Sequence, residues 1–236
     1  LSTREAAQAA KDGTVVIFPV GSVEEHGDHL PLCTDSIQPE YIALKVAEQT
    51  GCLVAPTLKY GICNAGRNFA GTITIEFDIF YRMVRDILSE LVRNGFGRII
   101  VLSGHAGSSH MVALRLAAQE IVVKNDVLGK KVKTRIMVLS DYDFAKELTP
   151  KYASEKDGHA GTLETSRVMA IKPELIKSAG TPSFSQMPRF EVVAHPEIYF
   201  PSGVHGDPTA ASIEKGQKIN EYIIEQVAKL VEIIKE

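Results

Sequence analysis

The 236-residue sequence has no tryptophan and only three cysteines, Cys33, Cys52 and Cys63. So small and odd a set, with no CxxC pair, excludes a disulfide framework and is the usage expected of a reducing, cytoplasmic compartment. Long apolar runs are missing as well: none reaches the ~18 residues of a membrane span, and the longest, such as Val15–Val20, have strand length. A positive excess is also lacking. The 26 Lys+Arg face 29 Asp+Glu, a formal charge of −3 with pI near 6.2, so neither nucleic acid nor an anionic membrane is an expected partner. The opening residues Leu1-Ser2-Thr3-Arg4-Glu5 hold no apolar signal core, and secretion is not expected.

What is present is an ordinary globular composition, 44% hydrophobic and 23% charged, in a chain long enough to bury a sizeable core. Its periodicity alternates helices and strands. Ser2 or Thr3 caps a helix running to Lys11, and an all-apolar strand follows over Thr14–Val20. A helix over Pro39–Gln49 closes at Gly51 and leads to a short strand, Cys52–Ala55. The amphipathic spacing of Asp78–Asn94 predicts a helix ended by Gly95, and Arg98–Ser103 a third buried strand. Beyond them lie a helix over His110–Asn125, a strand over Val132–Ser140, and helices over Thr162–Ile171 and Ala210–Lys235. With no repeat, low-complexity tract or linker-like shift, this βαβα order predicts one α/β domain over residues 1–236. Its expected architecture is three-layer α/β/α around a mostly parallel sheet.

Ligands of such sheets sit beyond the carboxyl ends of the parallel strands. Three segments leave that edge: the loop Gly21–Asp35, the turn Gly104–Ser109 and the chain after Ser140. The first is dense in ionisable groups and contributes Glu24, His26 and Asp35; the second contributes His105. Carboxylate oxygen with imidazole nitrogen suits zinc, manganese or iron, whereas calcium would draw on oxygen alone. If Asp35 bridges two ions, Glu24 and His105 complete one shell and His26 serves the other, leaving open positions for the bridging water that two-metal hydrolysis needs. Taken singly, Asp35 reads sooner as a helix N-cap than as a ligand, and His105 sooner as a capping or surface residue.

The string Gly21-Ser-Val-Glu24-Glu-His26-Gly-Asp-His29-Leu-Pro-Leu-Cys-Thr-Asp35 resembles the first signature of the creatininase family of metal-dependent amidohydrolases, G-S-x-E-Q-H-G-P-H-L-P-x-x-T-D. Further segments resemble the family in order: Phe69-Ala-Gly-Thr-Ile73, Ser103-Gly-His-Ala-Gly107, His159-Ala-Gly-Thr-Leu-Glu-Thr-Ser166 and Ser202-Gly-Val-His-Gly-Asp-Pro208. The resemblance implies a creatininase-like fold, with Glu24, Asp35 and His105 on one metal ion and His26 and Asp35 on the second. It departs from creatinine-hydrolysing members at Gly107, where they carry a glutamate. Glu164 is the candidate replacement at the second metal, and its alternative role is a helix N-terminal carboxylate acting on the dipole. His159 is implied as the general acid or base. His29 is expected to orient a ligand carboxylate, and Glu25 and Asp28 to be solvated loop residues.

The expected cofactors are two divalent ions, zinc first and manganese or iron as alternatives. The expected activity is hydrolysis of a cyclic or linear C–N amide bond in a small molecule, with a deformylase or peptidase acting on a cofactor precursor as the alternative. Creatinine itself is disfavoured, because creatinine-specific relatives cover its flat ring with tryptophans. A phosphate- or nucleotide-binding module is disfavoured too, since the turn Gly104–Ser109 has no lysine. Family resemblance further implies a closed homo-oligomer, a hexamer favoured. The apolar stretch containing Phe184, Met187, Phe190, Ile198, Tyr199 and Phe200 is expected to cover a neighbour's site.

Overall fold

The computed structural model describes residues 1–127, 133–184 and 187–236. The chain runs α1 (Thr3–Lys11), β1 (Val16–Val20), α2 (Thr34–Thr50), β2 (Leu53–Val54), α3 (Phe77–Arg93), β3 (Arg98–Ser103), α4 (Ser108–Val127), β4 (Arg135–Ser140) and α5 (Asp141–Glu147). It continues through α6 (Thr149–Tyr152), α7 (Thr162–Ile171), β5 (Ser183–Phe184), β6 (His205–Gly206) and α8 (Ile213–Lys235). The main sheet has the order β2-β1-β3-β4 and is parallel throughout, while β5 and β6 form a separate antiparallel ribbon.

Every residue of β1 is buried, because helices cover both sheet faces. Ile17, Ile100 and Leu102 point to one side and pack with Ile42 and Val46 of α2 and Ile219, Ile223 and Val227 of α8. Phe18, Val20, Ile99 and Val101 point to the other, against Phe80, Val84 and Leu88 of α3 and Leu114 and Ala117 of α4. Each fully buried aliphatic side chain contributes about 1.5–3 kcal/mol relative to exposure. Two cores separated by one sheet make the three-layer α/β/α architecture that the alternation predicts.

Several elements differ from expectation. Helix α2 begins at Thr34, five residues ahead of Pro39, and carries that proline inside it. Pro39 has no N–H to give the Asp35 carbonyl, which would otherwise receive the helical bond. Two glycines lie against that carbonyl instead: a Cβ at Gly21 or Gly104 would stand 2.6 or 2.2 Å from it. The start of α2 is thereby pressed against the ends of β1 and β3. Helix α5 follows β4 without a loop, and its sequence signal is a capping box: Ser140 Oγ accepts from the Tyr142 N–H, and the Ser140 N–H donates to Asp143. Helix α8 starts at Ile213, capped by Ser212, because residues 208–210 form a 3₁₀ turn. The strand expected from Val132 has its first residue outside the described residues and is seen from Arg135.

Candidate metal centre

Register pairs Val20 with Ser103 and Ser103 with Ser140, so the three strands end level and their following segments rise at one edge. Glu24, Glu25 and His26 come from the β1–α2 loop, Asp35 from the first turn of α2, His105 from the β3–α4 turn, and Glu164 from the first turn of α7. His159 lies in the segment before α7. All five residues expected at metals, and His159, meet here.

Asp35 stands at the centre, with its two oxygens divided. Its Oδ1 is 3.2 Å from His26 Nε2, and its Oδ2 is 3.1 Å from His105 Nδ1. Glu24 Oε2 is also 3.1 Å from His105 Nδ1, and Glu164 Oε2 lies 3.8 Å from His26 Nε2. Buried His26 Nε2 makes no hydrogen bond, although it has a carboxylate on each side. The spacing of donor atoms gives three overlapping groups among the described residues: His26 with Asp35 and Glu164, Glu24 with His105 and Cys63, and Glu24 with His26 and His159.

Hydrogen bonds away from the cluster fix which nitrogen faces it. His26 Nδ1 contacts the Glu24 carbonyl at 3.1 Å, and His105 Nε2 contacts the Ile62 carbonyl at 3.0 Å. A ring N–H held by a carbonyl leaves the opposite nitrogen with its lone pair toward the acids, the arrangement a metal ligand needs. Ile62 is tied down in turn, its N–H donating to His110 Nδ1 at 3.3 Å. The far nitrogen of His110 contacts Ser103 Oγ, whose hydroxyl donates to the His105 carbonyl at 2.7 Å.

Electrostatics show what the cluster lacks. Glu24, Glu25, Asp35 and Glu164 are all buried, and among the described residues no lysine or arginine pairs with any of them. Burial pulls the His105 imidazole down, but the Glu24 and Asp35 carboxylates outweigh it and hold the ring well above its usual range. Burial likewise works against ionised Asp35, yet His26 and His105 keep it well below the usual carboxylate range. Burial, with Glu24 and Asp35, pushes the Cys63 thiol up to about 12. Carboxylates withdrawn from water at this density call for cations, and their oxygen and imidazole donors fit borderline divalent ions.

His159 closes one wall. Its Nε2 is 2.7 Å from the Glu25 carbonyl and 3.4 Å from Glu25 Oε1, and its ring centroid is 4.2 Å from that of His26. Burial lowers its pKa, but the Glu25 contact and the charges of Glu24 and Glu164 raise it to about 10. Ahead of α7, Asp157 accepts from the Thr162 and Leu163 N–H groups and so anchors the turn that carries His159. Glu164 Oε2 accepts from the Ala160 N–H at 2.6 Å, so one oxygen serves the helix turn and also faces His26. The adjoining cavity, about 550 Å³, has Glu24, Asp35, His105, His159 and Glu164 on its polar side and Met187 and Phe200 on its apolar side, with Lys146 at its wall.

Several expectations need correction. Glu25 is not a solvated loop residue: it is 5% exposed and set against His159. His29 orients no ligand carboxylate, its Nε2 contacting Thr165 Oγ1 at 3.0 Å. The apolar stretch divides, with Met187 and Phe200 lining this chain's own cavity while Phe190 and Ile198 point outward at 90% and 69% exposure. A glutamate at Gly107 would not simply restore a carboxylate, because a Cβ there would stand 2.3 Å from His105 Nε2. Sequence reasoning overlooked His110 and Cys63; the only signal for the latter was its place in the polar segment Lys59–Gly71.

The family profile described as creatinine amidohydrolase matches residues 1–231. Creatinine amidohydrolase of Pseudomonas putida is 29% identical, over 96% of this chain and 92% of its own length. A mycofactocin precursor peptide peptidase of Mycolicibacterium smegmatis is 29% identical over 93% and 85%, and a 3-dehydro-scyllo-inosose hydrolase of Thermotoga maritima 24% identical over 100% and 82%. A crystal structure of creatinine amidohydrolase superposes with a TM-score of 0.88 at 26% identity, over 98% of this chain and 94% of the other. A zinc–zinc form and a manganese form of creatininase give TM-scores of 0.86 and 0.87 at 27% and 26% identity, each over 98% of this chain and 95% of the other. With its parallel sheet, its buried acid–imidazole cluster and a profile match over nearly its whole length, the chain belongs to the creatininase family of metal hydrolases.

Proposed function

We propose that this protein is a two-metal amidohydrolase that opens a C–N amide bond, cyclic or linear, in a small molecule. The observation that carries this reading is the divided Asp35 carboxylate, one oxygen toward His26 and the other toward His105. Glu24, Asp35 and His105 would hold one divalent cation, and His26, Asp35 and Glu164 the other, with zinc favoured and manganese or iron as alternatives. When bound, such a pair supplies Lewis acidity, polarising a carbonyl and making water a nucleophile near neutral pH. With cations offsetting the Glu24 and Glu164 charges that otherwise keep it protonated, His159 would move the proton: its ring stands at the cavity wall, held by Glu25, placed to accept a proton from the attacking water and return it to the leaving nitrogen. Met187 and Phe200 exclude water beside the reacting groups, and Lys146 offers a cation to an anionic or carbonyl end of the substrate.

A second reading is peptidase action on a cofactor-precursor peptide, favoured by the full-length similarity to mycofactocin precursor peptide peptidases and by the absence of tryptophan. One hydrolysis screen separates the two. Zinc-, manganese- and iron-loaded protein is offered creatinine, formylamino-pyrimidines and short C-terminal peptides, with turnover confined to the small amides expected. Cleavage of peptides alone would replace the first reading by the second. We further propose a homo-oligomer, hexameric by family resemblance, supported by the outward exposure of Phe190, Val192 and Ile198. Light scattering at the monomer mass of 25.8 kDa would reject it.

A further inference from the structure

We propose that the Cys63 thiol is a ligand of the cation held by Glu24, Asp35 and His105, giving that site a sulfur donor that favours zinc over manganese. The proposal rests on the two-metal reading and adds a residue to it. Cys63 is fully buried, and its Sγ, a Glu24 oxygen and a His105 nitrogen all lie within 4.8 Å of one another. The thiol therefore belongs to a three-donor cluster that shares Glu24 with the His26–His159 group.

The backbone around Cys63 is held as closely as the ligands themselves. Its N–H donates to Thr74 Oγ1 at 2.9 Å, and the Ile75 N–H donates to the Gly61 carbonyl at 2.9 Å. The preceding residue, Ile62, is the one whose carbonyl fixes the His105 ring and whose N–H is taken by His110. One short segment thus aims His105 Nδ1 at the acids and sets the sulfur beside them. Gly61 makes this possible, since a Cβ there would stand 2.7 Å from His110 Nδ1 and 2.8 Å from the Gly21 carbonyl.

The chemistry decides what such a sulfur is for. A thiol buried among carboxylates stays protonated without a cation, but a coordinating divalent ion removes the proton and takes the thiolate as a soft ligand. Oxygen and imidazole nitrogen alone serve manganese and zinc alike, whereas added thiolate selects zinc or its spectroscopic stand-in, cobalt.

The test is cobalt(II) reconstitution of the metal-stripped full-length protein, read by absorbance and metal content. Wild type is expected to take up cobalt with visible ligand-field bands and a near-ultraviolet thiolate-to-cobalt charge-transfer band. Cys63→Ser is expected to keep the visible bands, lose the near-ultraviolet band and weaken zinc binding relative to manganese by about tenfold or more. Should Cys63→Ser not fold, the double variant Cys33→Ser/Cys52→Ala leaves Cys63 as the sole thiol, and the band must persist there. Cobalt uptake with visible bands but no charge-transfer band in wild type overturns the ligand role of Cys63 and leaves the two-metal reading standing. No stoichiometric cobalt uptake by wild type overturns that reading, and the thiol ligand with it.

Discussion

Two buried charge clusters draw on α7, one through Glu164 in its first turn and one through Arg167 at its middle, and they are built on opposite terms. In the interior, Arg167 is fully buried and its guanidinium meets Asp141 through both terminal nitrogens, 2.5 Å at the shorter, while Nε donates to Asn220 at 3.0 Å. One cation, one anion and one amide close on themselves and tie α5, α7 and α8 together. At the sheet edge, four buried carboxylates face three imidazoles, and both His26 Nε2 and Glu25 Oε1 lack a hydrogen-bond partner. A network that is complete specifies packing; one left with surplus anions and orphaned atoms is shaped for something that arrives from outside. The difference separates scaffold from site without reference to sequence motifs.

The largest effect that would break this contrast is at Asp35. Asp35→Ala removes the carboxylate whose two oxygens face His26 and His105, so metal analysis should find loss from both positions and turnover should vanish. Two retained equivalents of metal would show that Asp35 bridges nothing. His159→Ala should keep its metals and lose turnover by about 10²–10⁴-fold, the range for a missing acid–base group. Lost metal in that variant would make His159 a ligand. On the scaffold side, Asp141→Ala strands the Arg167 guanidinium in the interior and should cost about 3–5 kcal/mol in denaturant unfolding, with metal stoichiometry unchanged. A loss confined to metal binding would erase the distinction between the clusters.

The sequence made the sheet-edge cluster legible because its acids and imidazoles follow strands within segments that resemble family signatures: Glu24, His26 and Asp35 beyond Val20, His105 just past Ser103. Buried apolar runs placed β1 and β3, and hydrophobic spacing placed α3, for the same reason. The start of α2 was hidden because Pro39 inside the helix is tolerated only through the close approach of Gly21 and Gly104, a tertiary contact. Glu25, His110 and Cys63 were equally hidden. A glutamate beside two ligands looks solvated until the chain around Gly203 folds over it, where a Cβ would stand 2.0 Å from its Oε2. The Arg167 network left no linear trace, its members lying 26 and 53 residues apart.

The smallest effect, and the one that sharpens the comparison most, is pH dependence of the metal-free protein. His159 is raised from its ordinary 6.5 to about 10, so the folded state holds a proton that the unfolded chain releases. Its stabilising contribution is complete below pH 6.5 and is lost as pH climbs to about 10. Denaturation midpoints measured in chelator should fall across that window. Glu25→Gln removes the carboxylate that holds the imidazolium, so its midpoint should start lower at neutral pH and decline less. Parallel curves for the two proteins would show that Glu25 and His159 are not coupled. Metal-loaded protein should behave in the opposite sense, because cations compete with protons for the His26 and His105 imidazoles and bind more tightly as pH rises. On the scaffold side, an Asp141→Asn variant should shift the whole curve without changing its slope.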